Sequence, residues 1–288
     1  MSDTEYMTTG DLEEVLEVLA EWKDRAKLVA GGTNVIPSMH QRLISPALII
    51  NLCDLDELNH IREEDGTISI GALTTISDVA SSGVVRKNSP ILSSAAGRLG
   101  NPLTRNRATI GGNLADASPA ADMAPPLLAL EAWVHIERAG RNARQVPLDQ
   151  FFLGPNETHL GRDELLTRIT FPKPKDPERG HHIKLGLRNA MAISIASMAV
   201  MLELEGRVCK KARVALGAVA PKPVRAYALE KTLEGREIDQ GLIEECARLV
   251  KEEISPIRDI RATAEYRTWV TSVLVKRAIE KAMEGEEK

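Results

Sequence analysis

The sequence predicts an α+β protein built as two domains, and three observations carry that prediction. Segments with helical apolar spacing are interleaved with segments of strand-like alternation through both halves. Two glycine pairs, Gly31-Gly32 and Gly111-Gly112, stand about eighty residues apart, the first directly after an apolar strand pattern. A charged, proline-rich run over 172–180 has little means of packing and reads as a linker or exposed loop.

The first helix spans 11–22, where Leu12, Val15, Leu16, Leu19 and Trp22 recur at three- and four-residue steps and Asp11 is placed to cap. Residues 27–30 form a short strand running into Gly31-Gly32, and 47–52 form a second, giving a small βαβ-like unit. The triplet Glu64-Asp65-Gly66 is a turn joining 61–62 to the alternating strand 67–70. Helices follow over 90–99 and after Asp122, where Pro125 and Pro126 are tolerable only in a first turn. Strands at 133–137 and 165–171 complete this part. Beyond the linker, 183–187, 197–205 and 213–219 read as strands, and 226–233, 238–254 and 262–283 as helices. The division is placed near 175, giving domains 1–175 (subdomains 1–57 and 58–175) and 176–288.

Composition narrows the function. A 288-residue chain that is 43% hydrophobic can bury a sizeable core. Its 27% charged residues leave a net charge of only −4 with the signs interspersed, so no basic footprint points to nucleic acid or an anionic membrane. The first fourteen residues carry five acidic side chains and no Lys or Arg, the wrong chemistry for a presequence. The longest apolar stretch, 192–202, is interrupted by Ser194 and Ser197 and falls short of a membrane span. Cys53, Cys209 and Cys246 lack any metal-ligand spacing and read as buried, reduced thiols, which fits a cytoplasmic protein.

The glycine pairs are the chemical signal. Ala30-Gly31-Gly32-Thr33-Asn34 and Thr109-Ile110-Gly111-Gly112-Asn113 each resemble a phosphate cradle, because adjacent glycines turn the backbone tightly and admit an anion close to its N–H groups. Either pair alone also fits an ordinary turn. Neither matches the dinucleotide or Walker fingerprints. The small residues of 114–122 would let a bulky planar ligand lie against the backbone, or a helix pack tightly. Arg98, Arg105 and Arg107 crowd positive charge around the approach to the second pair, either as solvated surface or as contacts to a phosphate or an acidic partner.

The segments AGGTNVIPSM, IGALTT, TIGGNLADASPAADMAPPLLAL and KLGLRNAMAIS strongly resemble the FAD-binding medium subunit of molybdenum hydroxylases, the family of xanthine dehydrogenase and bacterial carbon monoxide dehydrogenase, and the likeness runs to EYRTWVTSVLVKRAIEKA at the end. The resemblance implies a FAD-binding fold of the vanillyl-alcohol-oxidase kind, two N-terminal subdomains holding the cofactor and a third domain following. The family's flavin-contacting loops match Val29, Ala30, Gly31, Gly32, Thr33, Asn34, Val35 and Ile36, and Thr109, Ile110, Gly111, Gly112 and Asn113. Further contacts match Leu99, Asp122, Leu166 and Lys184. The glycine loops would bind the pyrophosphate, Ile110 and Leu166 would flank the flavin ring, and Asp122 and Lys184 would give polar contacts. From local sequence alone, Asp122 reads instead as a helix N-cap and Lys184 as a solvated strand residue.

The resemblance also implies the setting: a large molybdenum subunit that oxidises substrate, a small subunit with two two-iron two-sulfur clusters, a dimer of heterotrimers, and electron transfer from the clusters through FAD to NAD or another acceptor. The molybdenum cofactor and the clusters belong to those partners, and no residue of this chain need act as acid, base, nucleophile or metal ligand. Where relatives often read Gln-Ile-Arg-Asn-x-Gly, this chain has Leu103-Thr104-Arg105-Asn106-Arg107-Ala108, with alanine in a glycine's place. The pair His181-His182 reads as solvated surface, and His40 lies beyond the first glycine loop on a short helix, so FAD is expected to be noncovalent. The alternatives are a self-contained flavoenzyme resembling the enolpyruvyl-sugar reductase of cell-wall synthesis, and a FAD-less assembly subunit, against which the intact glycine loops argue. The substrate of the complex is not legible in this chain.

Overall fold

The computed structural model describes residues 4–174 and 179–284. The division expected at 175, and residues 175–178 of the expected linker, lie outside the described residues.

Among the described residues three sheets organise the molecule, and a two-stranded ribbon accompanies them. The first consists of β1 (Glu5–Thr8), β2 (Ala26–Val29) and β3 (Leu48–Asn51), all parallel in the order β1-β3-β2. Asp11 caps the helix Leu12–Trp22 by accepting from the N–H groups of Glu13 and Glu14, and Val15, Leu16 and Leu19 are that helix's buried face. The βαβ unit read from the sequence is present, with the helix Val35–His40 crossing from β2 to β3. Parallel pairing places the ends of β2 and β3 in register, Val29 opposite Asn51. The first glycine loop therefore leaves from the carboxyl edge of a parallel sheet, where α/β folds bind ligands.

The second sheet is antiparallel. It contains β4 (Ile61–Glu64), β5 (Thr67–Gly71), β6 (Trp133–Glu137) and β7 (Arg144–Pro147); after the ribbon of β8 (Phe152–Gly154) and β9 (Glu157–Thr158), β10 (Leu165–Pro172) enters its centre, giving the order β4-β5-β10-β6-β7. The β4–β5 turn has positive φ at both central residues, Asp65 (48°) and Gly66 (74°), the two-residue hairpin geometry that an Asp-Gly pair favours. Between β10 and β6 the register slips at Leu166/Arg168, a bulge in which Thr167 is the extra residue.

The third sheet runs β11 (Arg179–Leu185), β12 (Ala196–Glu205), β13 (Val208–Gly217) and β14 (Val224–Arg225), each antiparallel to the next. Its strands alternate between two cores. Met198, Val200 and Leu202 pack with the helices Tyr227–Leu233, Gln240–Leu249 and Ala264–Glu284, whereas Ala199 and Met201 join the core of the preceding part of the chain. Burial on both faces explains why 195–202 reads as a nearly unbroken apolar run.

Several expectations need correction. The helix expected over 238–254 stops at Leu249 and finishes as a 3₁₀ turn, Val250–Glu252; the strand expected from 213 begins at Val208, because Gly206, at φ 61°, turns a hairpin there. Cys209 and Cys246 are buried, but Cys53 is exposed. His182 is buried rather than solvated. The helix Pro90–Arg98 packs over β11, so close that a Cβ on Gly180 would lie 2.8 Å from Ile91 Cγ2, and His182 shares that face of the strand. Neither of its ring nitrogens has a hydrogen-bond partner among the described residues, and burial first, then the positive charge of Arg98, lowers its pKa to about 3.

Candidate functional site

A cleft of about 880 Å³ opens between the parallel and antiparallel sheets, with the loop 186–195 adding to its wall. Both glycine loops line it, so positions eighty residues apart in sequence face one space.

The first loop supplies hydrogen-bond donors. Among the described residues, none of the backbone N–H groups from Gly31 through Val35 donates to a protein acceptor. Gly31 is glycine for steric reasons, since a Cβ there would lie 1.8 Å from the carbonyl oxygen of Arg107. Gly32 is glycine for conformational ones, at φ +71°. Val29 and Ile36 brace the loop, their Cγ1 atoms lying 3.7 and 3.1 Å from the position of a Cβ on Gly32.

The second loop works differently. Thr109 caps the short helix Ile110–Ala115, its Oγ1 accepting from the Gly112 N–H at 3.1 Å. The N–H groups of Ile110, Gly111 and Asn113 donate to Thr74, Ala72 and Thr109. Those four backbone donors are thus committed within the protein, and what Gly111 and Gly112 offer a ligand is a backbone without side chains. A Cβ on Gly111 would lie 2.6 Å from that of Ala72, while Gly112 faces the cleft. Asn34 Nδ2 donates to Asp116 at 2.7 Å, tying the two loops together. Ala108, in the place of a glycine, is not among the residues with positive φ and needs no glycine; it lines the cleft beside Gly31.

Asp122 does not cap the helix Ala124–Ala129. The capping position is Met123, without a side-chain bond, and the Asp122 carboxylate turns inward instead. Its Oδ2 accepts from Lys184 Nζ at 2.6 Å and its Oδ1 from Ser194 Oγ at 2.7 Å. Burial raises the carboxyl's pKa, and Lys184 and Ser194 oppose that rise by stabilising the charged form. The solvated reading of Lys184 also fails: its side chain is 7% exposed, held under the cleft by Asp122 and the Arg98 carbonyl. Leu99 and Leu166 line the cleft, while Ile110 is fully buried in the core. Of the three arginines, Arg98 and Arg107 are exposed and Arg105 donates to the Leu99 carbonyl.

Sequence reasoning missed Ser194, the Arg162–Asp24 ion pair at the cleft wall, and the Asn156 bond to the Asp116 carbonyl. Each joins residues at least 40 positions apart, and no local pattern marks them. Ser194 had one signal, a polar residue inside an apolar run. Among the described residues no histidine or cysteine lines the cleft, and no group of three or more His, Cys, Asp or Glu side chains could hold a metal ion.

Paired glycine loops facing one deep cleft, with free N–H groups along one side, describe a nucleotide-cofactor site rather than one built around an acid–base pair. Comparison with known families agrees. Residues 2–174 match the FAD binding domain in molybdopterin dehydrogenase, and 181–282 match the CO dehydrogenase flavoprotein C-terminal domain. The chain is 34% identical to the glyceraldehyde dehydrogenase medium chain of Sulfolobus acidocaldarius, covering 95% of this chain and 96% of the relative. It is 31% identical to the xanthine dehydrogenase FAD-binding subunit of Escherichia coli, over 96% and 95%. Carbon monoxide dehydrogenase from Hydrogenophaga pseudoflava superposes with a TM-score of 0.95 at 33% identity, over 98% of this chain and 97% of that one. The chain belongs to the FAD-binding medium subunits of molybdenum hydroxylases, the carbon monoxide and xanthine dehydrogenase family. It is an oxidoreductase subunit with a FAD-binding domain and a C-terminal domain, and no described helix is long and apolar enough to cross a membrane.

The residues present fit FAD. A cleft of about 880 Å³ lies near the upper end of the roughly 300–1,000 Å³ range of ligand pockets, suited to an extended dinucleotide. The row of free N–H groups suits its pyrophosphate, and the positions of Gly31 and Gly111 leave no room for a Cβ.

Proposed function

We propose that this chain holds FAD between the iron–sulfur clusters of a small partner subunit and NAD or another acceptor, in a cytoplasmic complex that also contains a large molybdenum subunit and assembles as a dimer of heterotrimers. The observation that carries the reading is the run of free N–H groups from Gly31 to Val35 in a cleft shared with Gly111-Gly112. Bound there, FAD supplies one- and two-electron chemistry, and the protein supplies position and field. Gly31, Gly32, Thr33, Asn34 and Val35 would hold the pyrophosphate; Gly112 and Asn113 would pass it close to the backbone. Val29, Ala30 and Ile36 would shape the first loop, and Thr109, Ile110 and Gly111 the second. Leu99 and Leu166 would pack on the cofactor, with Asp122 as its polar contact and Lys184 behind it. The division near 175 would separate this cofactor-binding part from a C-terminal domain over 176–288.

Two outcomes test this. Because no histidine or cysteine among the described residues lines the cleft, FAD should be noncovalent, and acid precipitation should release all the flavin to the supernatant; a yellow pellet would contradict it. The purified chain loaded with FAD should oxidise no purine, aldehyde or heteroaromatic substrate by itself, while adding both partner subunits and their substrate under anaerobic conditions should bleach the flavin band. Sustained turnover by the chain alone would favour a self-contained flavoenzyme.

A further inference from the structure

The loop 186–195 is fixed at three points. The Met191 N–H donates to the Gly100 carbonyl, the Ile195 N–H donates to the Leu185 carbonyl, and between them Ser194, fully buried, donates from Oγ to Asp122 Oδ1 at 2.7 Å. Asp122 lines the cleft, and each of its carboxylate oxygens has one donor from the later part of the chain: Lys184 on β11 and Ser194 just before β12. The serine is therefore placed to govern the charge and orientation of a carboxylate at the cleft wall without reaching the cleft itself.

We propose that Ser194 is a positioning residue for the cofactor: through its hydrogen bond it keeps Asp122 ionised and aligned against Lys184, and so helps set the reduction potential of the bound flavin. This rests on the FAD reading above. The Asp122–Lys184 pair is nearly neutral as a unit while the carboxylate is charged. Burial already works against that charge, and the Ser194 hydroxyl is one of the two groups opposing burial. Without it, the carboxylate's charge is less well held and the Lys184 ammonium dominates the local field. Because both groups are buried, that field reaches the cleft with little screening. Reduction adds negative charge to a flavin, so a more positive field favours the reduced form.

The test is the midpoint potential of FAD bound to the full chain, in wild type, Ser194→Ala, Asp122→Asn and the double variant. Ser194→Ala should tighten reduced FAD relative to oxidised FAD about tenfold, an upward shift of about 30 mV for a two-electron couple. Asp122→Asn should move the potential further in the same direction. Since Ser194 acts through Asp122, the double variant should match Asp122→Asn alone. A purely structural role would weaken both redox forms of FAD equally and leave the potential where it was. A wild-type chain that takes up no FAD overturns the cofactor reading and this inference with it. Normal FAD uptake with an unmoved potential in Ser194→Ala, or a further shift in the double variant, overturns this inference alone.

Discussion

Gly31→Ala is expected to weaken FAD binding at least about 100-fold, about 2.7 kcal/mol. The added Cβ would lie 1.8 Å from Arg107 O and 2.5 Å from its carbonyl carbon, and a backbone cannot step aside as a flexible side chain can. The first loop must then retreat from the segment leading into the second, breaking the alignment of free N–H groups from Gly31 to Val35. Flavin titration of the purified variant reads the effect. Gly32→Ala is a useful companion: its Cβ would meet side chains rather than backbone, Ile36 at 3.1 Å and Val29 at 3.7 Å, but its φ of +71° imposes conformational strain. Affinity of Gly31→Ala within about threefold of wild type, under about 1 kcal/mol, would show that this loop does not hold the cofactor.

Arg267→Ala should strongly destabilise the C-terminal domain. Arg267 begins the buried side of the long helix Ala264–Glu284 and is 2% exposed. Its Nη1 donates to the carbonyls of Ile195 and Ala218, and its Nη2 donates to both carboxylate oxygens of Asp259, at 2.9 and 3.0 Å. Truncation leaves the buried carbonyls of Ile195 and Ala218 without this donor and Asp259 with Arg261 as its remaining guanidinium partner, a loss of about 2–4 kcal/mol, and the thermal midpoint should fall by about 5–10 °C. Arg267→Lys should lie between, keeping the charge but not the planar fork. A fall of under about 2 °C, less than about 1 kcal/mol, would deny the clasp its role. The same clasp has an acid limit. Burial would raise the Asp259 carboxyl, but hydrogen bonds from Arg261 and Arg267 outweigh it and hold the group well below the usual carboxylate range. A folded pKa below the unfolded value means that this stabilisation is fully present above about pH 4. It is lost as pH falls toward the folded value, and Arg267→Ala should blunt that loss.

Much of the fold was legible in local pattern. Helical spacing with Asp11 as cap, the Asp65-Gly66 hairpin and the proline-initiated helices all express forces between near neighbours, so a short window carries them. His182 was misread because the helix that buries it comes from 90–98, and Cys53 because nothing covers it. Local charge next to His182 suggested water, and a free thiol suggested a core; neither window held the deciding neighbour.

The glycine loops show where the two kinds of information divide. The sequence alone determined two glycine pairs suited to tight turns or close approach, a chain without metal-ligand spacing, and a resemblance to a flavoprotein family, because residue identity determines which backbone conformations and close approaches are possible. Tertiary structure decided what each glycine is for. Only packing reveals that Gly31 is demanded by Arg107 and Gly111 by Ala72, and that the first loop's N–H groups from Gly31 to Val35 are left for an anion while those of Ile110, Gly111, Gly112 and Asn113 in the second are committed. Likewise Asp122, in isolation a plausible cap, became half of a buried ion pair because Lys184 and Ser194 arrive from 62 and 72 residues away. Hydrogen bonding and burial depend on which atoms meet in space, and at those separations the order of residues along the chain does not specify the meeting.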